Sequence, residues 1–186
     1  MSRNIAAELE SEHASMARLL DIMERQLALF ESSEQPDYDL MQQIAGYFID
    51  FPEHCHHPKE DLVAAMLIER VPARAEPLRG LAGKHEELAH LTQRFAQLLQ
   101  RVLDEAELPR GTVLRAAREF IASQRYHMAM ENEHFLPLAR EVLGPADLAV
   151  LESQLLARQD PLRRSSNEER YAKLRDLLLA SERRNS

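Results

Sequence analysis

Apolar residues recur along the chain at intervals of three and four positions, which is the period of an amphipathic α-helix. In the first stretch, for example, one apolar stripe extends from Leu9 to Phe30. The period breaks where Ser, Pro or Gly supply turn chemistry. We therefore predict four long helices over about residues 4–31, 37–69, 78–105 and 113–143, with the second interrupted at Pro52 and Pro58.

Two weaker helical segments follow the pair Gly144-Pro145, which is a typical helix stop. One covers about residues 146–158, and the other begins near Ser166. Four helices of similar length joined by short turns favour an all-α, up-down-up-down four-helix bundle over residues 1–144. Residues 145–186 then form a short C-terminal helical extension. We expect this extension to cap one end of the bundle, and the alternative is a homodimer contact.

Composition narrows the class of protein. Only 5 of the 186 residues are Gly, fewer than short-stranded β architectures need for their turns. The formal charge of −8 argues against binding nucleic acid, because that affinity comes mainly from Lys and Arg. Cys55 is the single cysteine and suits a reducing compartment. The sequence has no signal-peptide pattern and no apolar run of about 18 residues, so we expect a soluble, cytoplasmic protein without membrane contact.

Histidine and glutamate residues form a repeated pattern. His56 and Glu60 are four positions apart, and so are His127 and Glu131. On a helix, residues at this spacing lie on the same face, one turn apart. The first and third predicted helices each add one histidine on an apolar stripe: His13 and His85.

Distances along the chain indicate whether these residues meet. In an antiparallel helix pair, residues equally far from the connecting turn lie at the same height. The midpoints between the four successive positions fall at or beside Gln35, Val71 and Leu108, and each of these residues belongs to a predicted turn. The sequence therefore predicts that four histidines and two glutamates converge at one level inside the bundle. So many buried ionisable groups need a compensating partner, and we predict that this partner is metal.

The donor types suggest which metal binds. No thiolate belongs to the set, which argues against a structural zinc site of the cysteine type. A mixture of imidazoles and carboxylates favours iron over manganese or zinc. Two carboxylates on opposite helices can each bridge two metal ions, with the histidines as terminal ligands. Both ions would keep open coordination positions, where dioxygen, peroxide, nitric oxide or hydroxide can bind.

Two segments carry a distinctive residue order. They are His56-His57-Pro58-Lys59-Glu60-Asp61, and His127-Met128-Ala129-Met130-Glu131 leading into Phe135-Leu136-Pro137-Leu138. At these residues the sequence resembles the hemerythrin-like family, in its bacterial HHE cation-binding branch, over about residues 5–143. The resemblance implies a four-helix bundle with a non-haem centre of two iron ions, bridged by oxygen and carboxylate. It also implies the residue roles: His13, His56, His85 and His127 as terminal ligands, and Glu60 and Glu131 as bridges.

One position departs from the oxygen-carrying hemerythrins, which place a second histidine one turn along the third helix. Here Ala89 holds that position, and His90 lies about 140° further round the helix. This departure argues against reversible oxygen carriage. His57, about 100° from His56, is a candidate additional ligand or hydrogen-bond donor.

Other features near the motifs receive simpler interpretations. Pro58 should kink the helix and so help to aim His56 or His57 inward. Cys55 is expected to be a small buried residue. The remaining polar neighbours are expected at or near the surface: Glu12, Glu86, Glu133, His54, His90 and His134. The alternative is that the three glutamates orient imidazoles and that the three histidines lie directly behind the ligands.

These features lead to three hypotheses. The first is a non-haem di-iron protein that binds or senses a small oxidant (dioxygen, peroxide or nitric oxide) or serves iron or redox homeostasis. The second is a di-iron enzyme that repairs iron–sulfur centres or reduces nitric oxide or dioxygen. The third is a helical interaction module with a structural metal. The first and second differ in whether the protein turns over a substrate.

Overall fold

The computed structural model describes residues 4–104, 108–155, 171, 173–174 and 176–178. Every regular element in these residues is helical, which confirms the all-α prediction. Within the same ranges, no helix combines the length and the apolar character needed to span a lipid bilayer.

The helices follow one another closely along the chain. The α-helices are α1 (Ile5–Glu31), α2 (Tyr38–Phe51), α3 (His57–Arg70), α4 (Leu81–Leu103), α5 (Arg110–Met130), α6 (Leu136–Val142) and α7 (Pro145–Leu155). Short turns of other helical types lie between them: π-helical turns at Pro52–His56 and Glu131–Phe135, and a 3-10 turn at Glu76–Gly80.

Side-chain caps determine where the first two helices begin. Asn4 accepts a hydrogen bond from the backbone N–H of Ala7, and Asp37 accepts one from that of Leu40. Both helices therefore begin within one residue of their predicted starts. The start of α5 is earlier than predicted, because Gly111 lies in its first turn instead of in the connection.

The π-turn at Pro52–His56 joins α2 to α3. Its hydrogen bond runs from the N–H of His57 to the carbonyl of Pro52, five residues back. Pro58 follows directly and has no N–H with which to continue the α-helical pattern. The predicted interruption at Pro52 and Pro58 is therefore present, and the π-turn accommodates it.

The second π-turn, Glu131–Phe135, joins α5 to α6 in the same way. The N–H of Leu136 donates to the carbonyl of Glu131, and Pro137 follows directly. The expectation of one unbroken helix over residues 113–143 is wrong here, because Pro137 removes a donor inside an otherwise helical pattern. Each π-turn carries one of the predicted site residues.

The helices pack around two clusters of buried apolar side chains. Helix α4 lies against α2 and α5, α1 contacts α2, α5 and α6, and α3 contacts α4 and α6. The larger cluster includes Phe48, Phe95 and Phe120, whose rings contact one another in T-shaped and stacked pairs. The smaller cluster includes Leu9 and Leu136.

The described part of the C-terminal extension packs on the rest of the chain. Leu151 of α7 is buried in the smaller cluster, and Asp147 forms an ion pair with Arg70 of α3 at 2.6 Å. Tyr171 is buried in the larger cluster and donates a hydrogen bond to Asp50. The helix start predicted near residue 166 lies outside the described residues.

Candidate metal centre

A layer of buried polar residues lies between the two apolar clusters. Along α1, Leu9 belongs to the smaller cluster and Met16 to the larger one, while Glu12 and His13 lie between them. The chain from α5 to α6 crosses the same layer in the opposite direction. Met128, before the π-turn, belongs to the larger cluster, and Leu136, after it, belongs to the smaller one. The apolar stripes therefore set the depth at which the polar residues meet.

All six predicted ligand residues come together in this layer. Nε2 of His13 lies 2.9 Å from Nε2 of His56, 3.2 Å from Oε1 of Glu60 and 3.4 Å from Oε2 of Glu131. Nε2 of His56 lies 3.1 Å from Oε1 of Glu60, one helical turn further on. Residues from α1, the first π-turn, α3 and the second π-turn thus share one small volume.

The other two histidines approach the same carboxylates from α4 and α5. Nε2 of His85 lies 3.5 Å from Oε2 of Glu60 and 3.8 Å from Oε1 of Glu131. Nε2 of His127 lies 3.2 Å from Oε2 of Glu131. Each of the two carboxylates therefore lies beside histidines that belong to different helices.

The layer is largely closed to solvent, and the most exposed of the proposed ligands is His127, whose side chain is 11% exposed. Glu60 has no exposed surface, and the exposed fractions of His56, His13 and Glu131 are 1%, 2% and 3%. Charged and polar groups in such a place raise the free energy of the folded state unless each has a partner.

His57 also belongs to this layer. It is buried, and its ring stacks on that of His85, with the centroids 3.9 Å apart and an angle of 2° between the planes. On the outer side, Nδ1 of His57 lies 3.4 Å from Oε1 of Glu53. Adjacent helical residues differ by about 100°, so the buried face at this point is wide enough for both His56 and His57.

The possible ligand atoms form two overlapping groups, each able to hold a metal ion. One group consists of His13, His56, Glu60 and Glu131, and the other of His57, Glu60, His85 and His127. Within each group these atoms all lie within 4.8 Å of one another. Glu60 is common to both groups.

His56 and Glu60 each shift the pKa of the other. Burial alone would lower the pKa of His56, but the charges of Glu60 and Glu12 and the hydrogen bonds to them raise that pKa to about 10. Burial alone would raise the pKa of Glu60, but the charge of His56 and hydrogen bonds from His13 and His56 hold it well below its usual value. Without metal, both ring nitrogens of His56 are therefore protonated at pH 7, and a bound cation would replace one of these two protons.

Glu131, His127 and His85 are shifted toward their neutral forms. Burial and the negative charge of Glu60 raise the pKa of Glu131 well above its usual value. Burial lowers the pKa of His127 to about 4, and burial together with the charge of His57 lowers the pKa of His85. Both imidazoles are therefore neutral at pH 7, which is the form that binds metal.

Several buried polar atoms of the layer have no hydrogen-bond partner among the described residues. Nδ1 of His57 and of His85 are two of them. The others are Oε2 of Glu60, both carboxylate oxygens of Glu131, and Nε2 of His85 and of His127. Native proteins rarely leave such atoms unpaired. A cation between them would serve as their common partner, so the residues present fit a metal.

Glu12 belongs to the site, although the sequence interpretation preferred an exposed position to its alternative, a role in orienting an imidazole. It was expected on an exposed face, but only 1% of its surface is exposed. Its Oε2 accepts a hydrogen bond from Nδ1 of His56 at 2.8 Å, and its Oε1 accepts one from Lys59. The expectation is wrong because the partner of Glu12 belongs to another helix. The signal in the sequence was Lys59, a cation inside the buried ligand motif that needs a buried carboxylate.

The other neighbours of the motifs are less involved. Asn132, which the sequence did not single out, accepts a hydrogen bond from Nδ1 of His13 at 2.8 Å. Cys55 is half-buried and packs against the larger cluster. Several charged neighbours are exposed, as predicted: Glu86, Glu133, His54, His90 and His134.

The fold and the site together define a helical protein with a buried centre of imidazoles and carboxylates that suits a cation. Comparison with protein-family models matches residues 4–139 to the hemerythrin HHE cation binding domain. The chain therefore belongs to the hemerythrin HHE cation-binding family, as its two motifs predict. Neither the comparison with curated proteins nor that with solved structures finds a match.

Proposed function

We propose that this protein is a non-haem di-iron protein that binds or senses a small oxidant. The observation that carries the proposal is the pair of ligand groups that share Glu60. One metal ion would be held by His13, His56, Glu60 and Glu131, and the other by His57, His85, His127 and Glu60. Glu131 also lies beside the second group, since its Oε1 is 3.8 Å from Nε2 of His85. Glu60 and Glu131 are thus the carboxylates that would be shared between the two ions.

Iron suits this set of donors best. The two groups contain imidazoles and carboxylates, and they lack the thiolates that favour structural zinc or copper(I). Manganese and zinc are less favoured occupants of the same atoms. The family's cation-binding description supports a metal at this site, and its identity as iron is part of the proposal.

The burial of the centre limits the ligands that can reach it. With Glu60 fully buried, His56 1% exposed and the side chain of His127 11% exposed, the centre offers a bulky substrate little surface to contact. Four or five protein donors for each ion leave coordination positions open, and when bound the metal supplies redox and Lewis-acid chemistry there. Dioxygen, peroxide and nitric oxide are small enough for these positions. On α4, Ala89 holds the position where a second histidine was considered. His57 of α3 would supply a fifth imidazole in its place.

The proposal extends to the arrangement of the chain. We propose the up-down-up-down order for the four long helical stretches, because residues predicted to share one height do meet. Residues 1–144 would form the bundle and residues 145–186 its extension. The burial of Leu151 within its own chain favours capping over a homodimer contact. The cytoplasmic location stays a prediction.

Exposure of the iron-loaded protein to oxidants tests the proposal. Anaerobic protein loaded with ferrous iron is mixed with nitric oxide, dioxygen or hydrogen peroxide, and its absorption spectrum is followed. Binding or sensing predicts a spectral change that is complete at a stoichiometric amount of oxidant. Sustained consumption of the oxidant in the presence of a reductant would identify an enzyme instead. An unchanged spectrum with all three oxidants would contradict the proposal.

A further inference from the structure

Three charged residues form a network beside the proposed ligands. Lys59 has no exposed surface, and it donates hydrogen bonds to Glu8 at 3.0 Å and to Glu12. The two oxygens of Glu12 have separate partners, since Oε1 accepts from Lys59 and Oε2 accepts from Nδ1 of His56. A buried ammonium group is thereby linked to a ring nitrogen of a proposed metal ligand.

The chemistry of the two neighbours of Glu12 dictates what can lie between them. The ammonium group of Lys59 is a donor only. His56 must carry its hydrogen on Nδ1 if Nε2 is to bind a metal ion, so Nδ1 is a donor as well. The group between them must accept from both sides. A carboxylate does so with its two oxygens, whereas a side-chain amide has one accepting end and one donating end.

We propose that Glu12, oriented by Lys59, is a positioning residue that fixes the metal-binding tautomer of His56. The inference rests on the proposed function, because it takes His56 as a ligand. It names a role for two residues that belong to neither ligand group.

Burial of the Nδ1 partner distinguishes His56 from the other histidines that have such a partner. Glu53, 3.4 Å from Nδ1 of His57, has a side chain that is 35% exposed. Nδ1 of His13 faces the neutral amide oxygen of Asn132, an exposed residue. Nδ1 of His85 lies 3.2 Å from Asp61, whose side chain is 46% exposed. Each of these partners has surface in contact with solvent, whereas the acceptor of His56 is only 1% exposed.

The substitution Glu12→Gln tests the proposal with little change in side-chain size. Its amide oxygen turns to Lys59, which offers only donors, and its NH₂ group then faces Nδ1 of His56. The hydrogen of His56 moves to Nε2, where it blocks the metal. We expect one of two cobalt(II) ions to bind about 10–100-fold more weakly, the range for loss of a partner behind a metal-ligating histidine. The ion assigned to His57, His85 and His127 keeps its affinity.

A second variant separates this role from a structural one. In Glu12→Gln/Lys59→Met the competing donor is gone, so the amide oxygen can accept from Nδ1 of His56 again. We expect this variant to recover most of the lost cobalt(II) affinity. Glu10→Gln, an exposed change of the same charge on the same helix, is the matched control and should bind both ions like the wild type.

The experiment is a cobalt(II) titration of each metal-free, full-length chain, followed by calorimetry and by the absorption spectrum of the bound ion. Circular dichroism confirms that each variant is folded. Wild-type affinity for both ions in Glu12→Gln would overturn the inference, and so would a double variant as weak as the single one. Both results leave the metal centre itself intact. A wild-type chain that binds no cobalt(II) would overturn the proposed function and the inference together.

Discussion

Glu60 is the residue whose replacement affects both proposed metal positions at once, because it belongs to both ligand groups. Glu60→Gln keeps the size of a fully buried side chain and removes its charge. The variant therefore loses a bridging carboxylate with little change in packing. We expect it to lose the thermal stabilisation that metal gives to the wild-type protein.

The size of that stabilisation follows from the number of ions. A ligand that binds only the folded state stabilises it by about 2.7 kcal/mol at a free concentration 100 times its Kd. Two ions under this condition contribute about 5 kcal/mol. For a protein of this length, 1 kcal/mol corresponds to about 2–4 °C in Tm. The wild-type Tm should thus rise by roughly 10–20 °C on metal loading, and the Tm of Glu60→Gln should rise far less.

Thermal unfolding followed by circular dichroism measures the effect. Each protein is compared with and without metal, so any change in the stability of the metal-free form cancels. Glu133→Gln is the matched control, because Glu133 is exposed in the π-turn that carries Glu131. Equal metal-induced rises in Tm for Glu60→Gln and the wild type would show that Glu60 does not hold the metal ions.

Three further predictions concern single positions. His57→Ala should retain one metal ion per chain, because His57 belongs to one ligand group only. Two ions per chain by elemental analysis would contradict the role of His57 as a ligand. His127 should contribute a loss of about 2 kcal/mol of stability to the metal-free protein between pH 7 and pH 5. Its pKa is about 4 when folded and about 6.5 when unfolded, so unfolding takes up a proton at this residue in that range. Urea titrations of His127→Gln should lack this contribution, and an unchanged pH dependence would count against it. Leu151→Ala should lower the free energy of unfolding by about 2–5 kcal/mol, whereas the exposed Val150→Ala should change it by about 0.5 kcal/mol or less. Equal effects of the last two would mean that α7 does not pack on the bundle.

The meeting of the site residues could be predicted because two patterns in the sequence agree. The helical period indicates which face of its helix each residue occupies. The distance from the turns indicates its height. His13 and His85 are single histidines on apolar stripes, and the second pattern alone connects them with the paired motifs.

The π-turns and the burial of Glu12 could not be predicted in the same way. Pro137 lies within an apolar stripe, and a helix that meets a proline can end, kink or form a π-turn according to its tertiary contacts. The burial of a charged side chain depends on a partner, and the partner of Glu12 is Lys59 of another helix. Periodicity within one helix carries no information about that pair.

In the proposed centre, one chain holds two iron ions bridged by Glu60 and Glu131. The most direct measurement is the ratio of iron to protein after anaerobic reconstitution with excess ferrous iron and desalting, together with the spectra of the oxidised and reduced forms. The proposed centre predicts two iron ions per chain and an absorption band of the oxidised form that disappears on reduction. A ratio of one or less, or two ions retained by Glu60→Ala/Glu131→Ala, would contradict it.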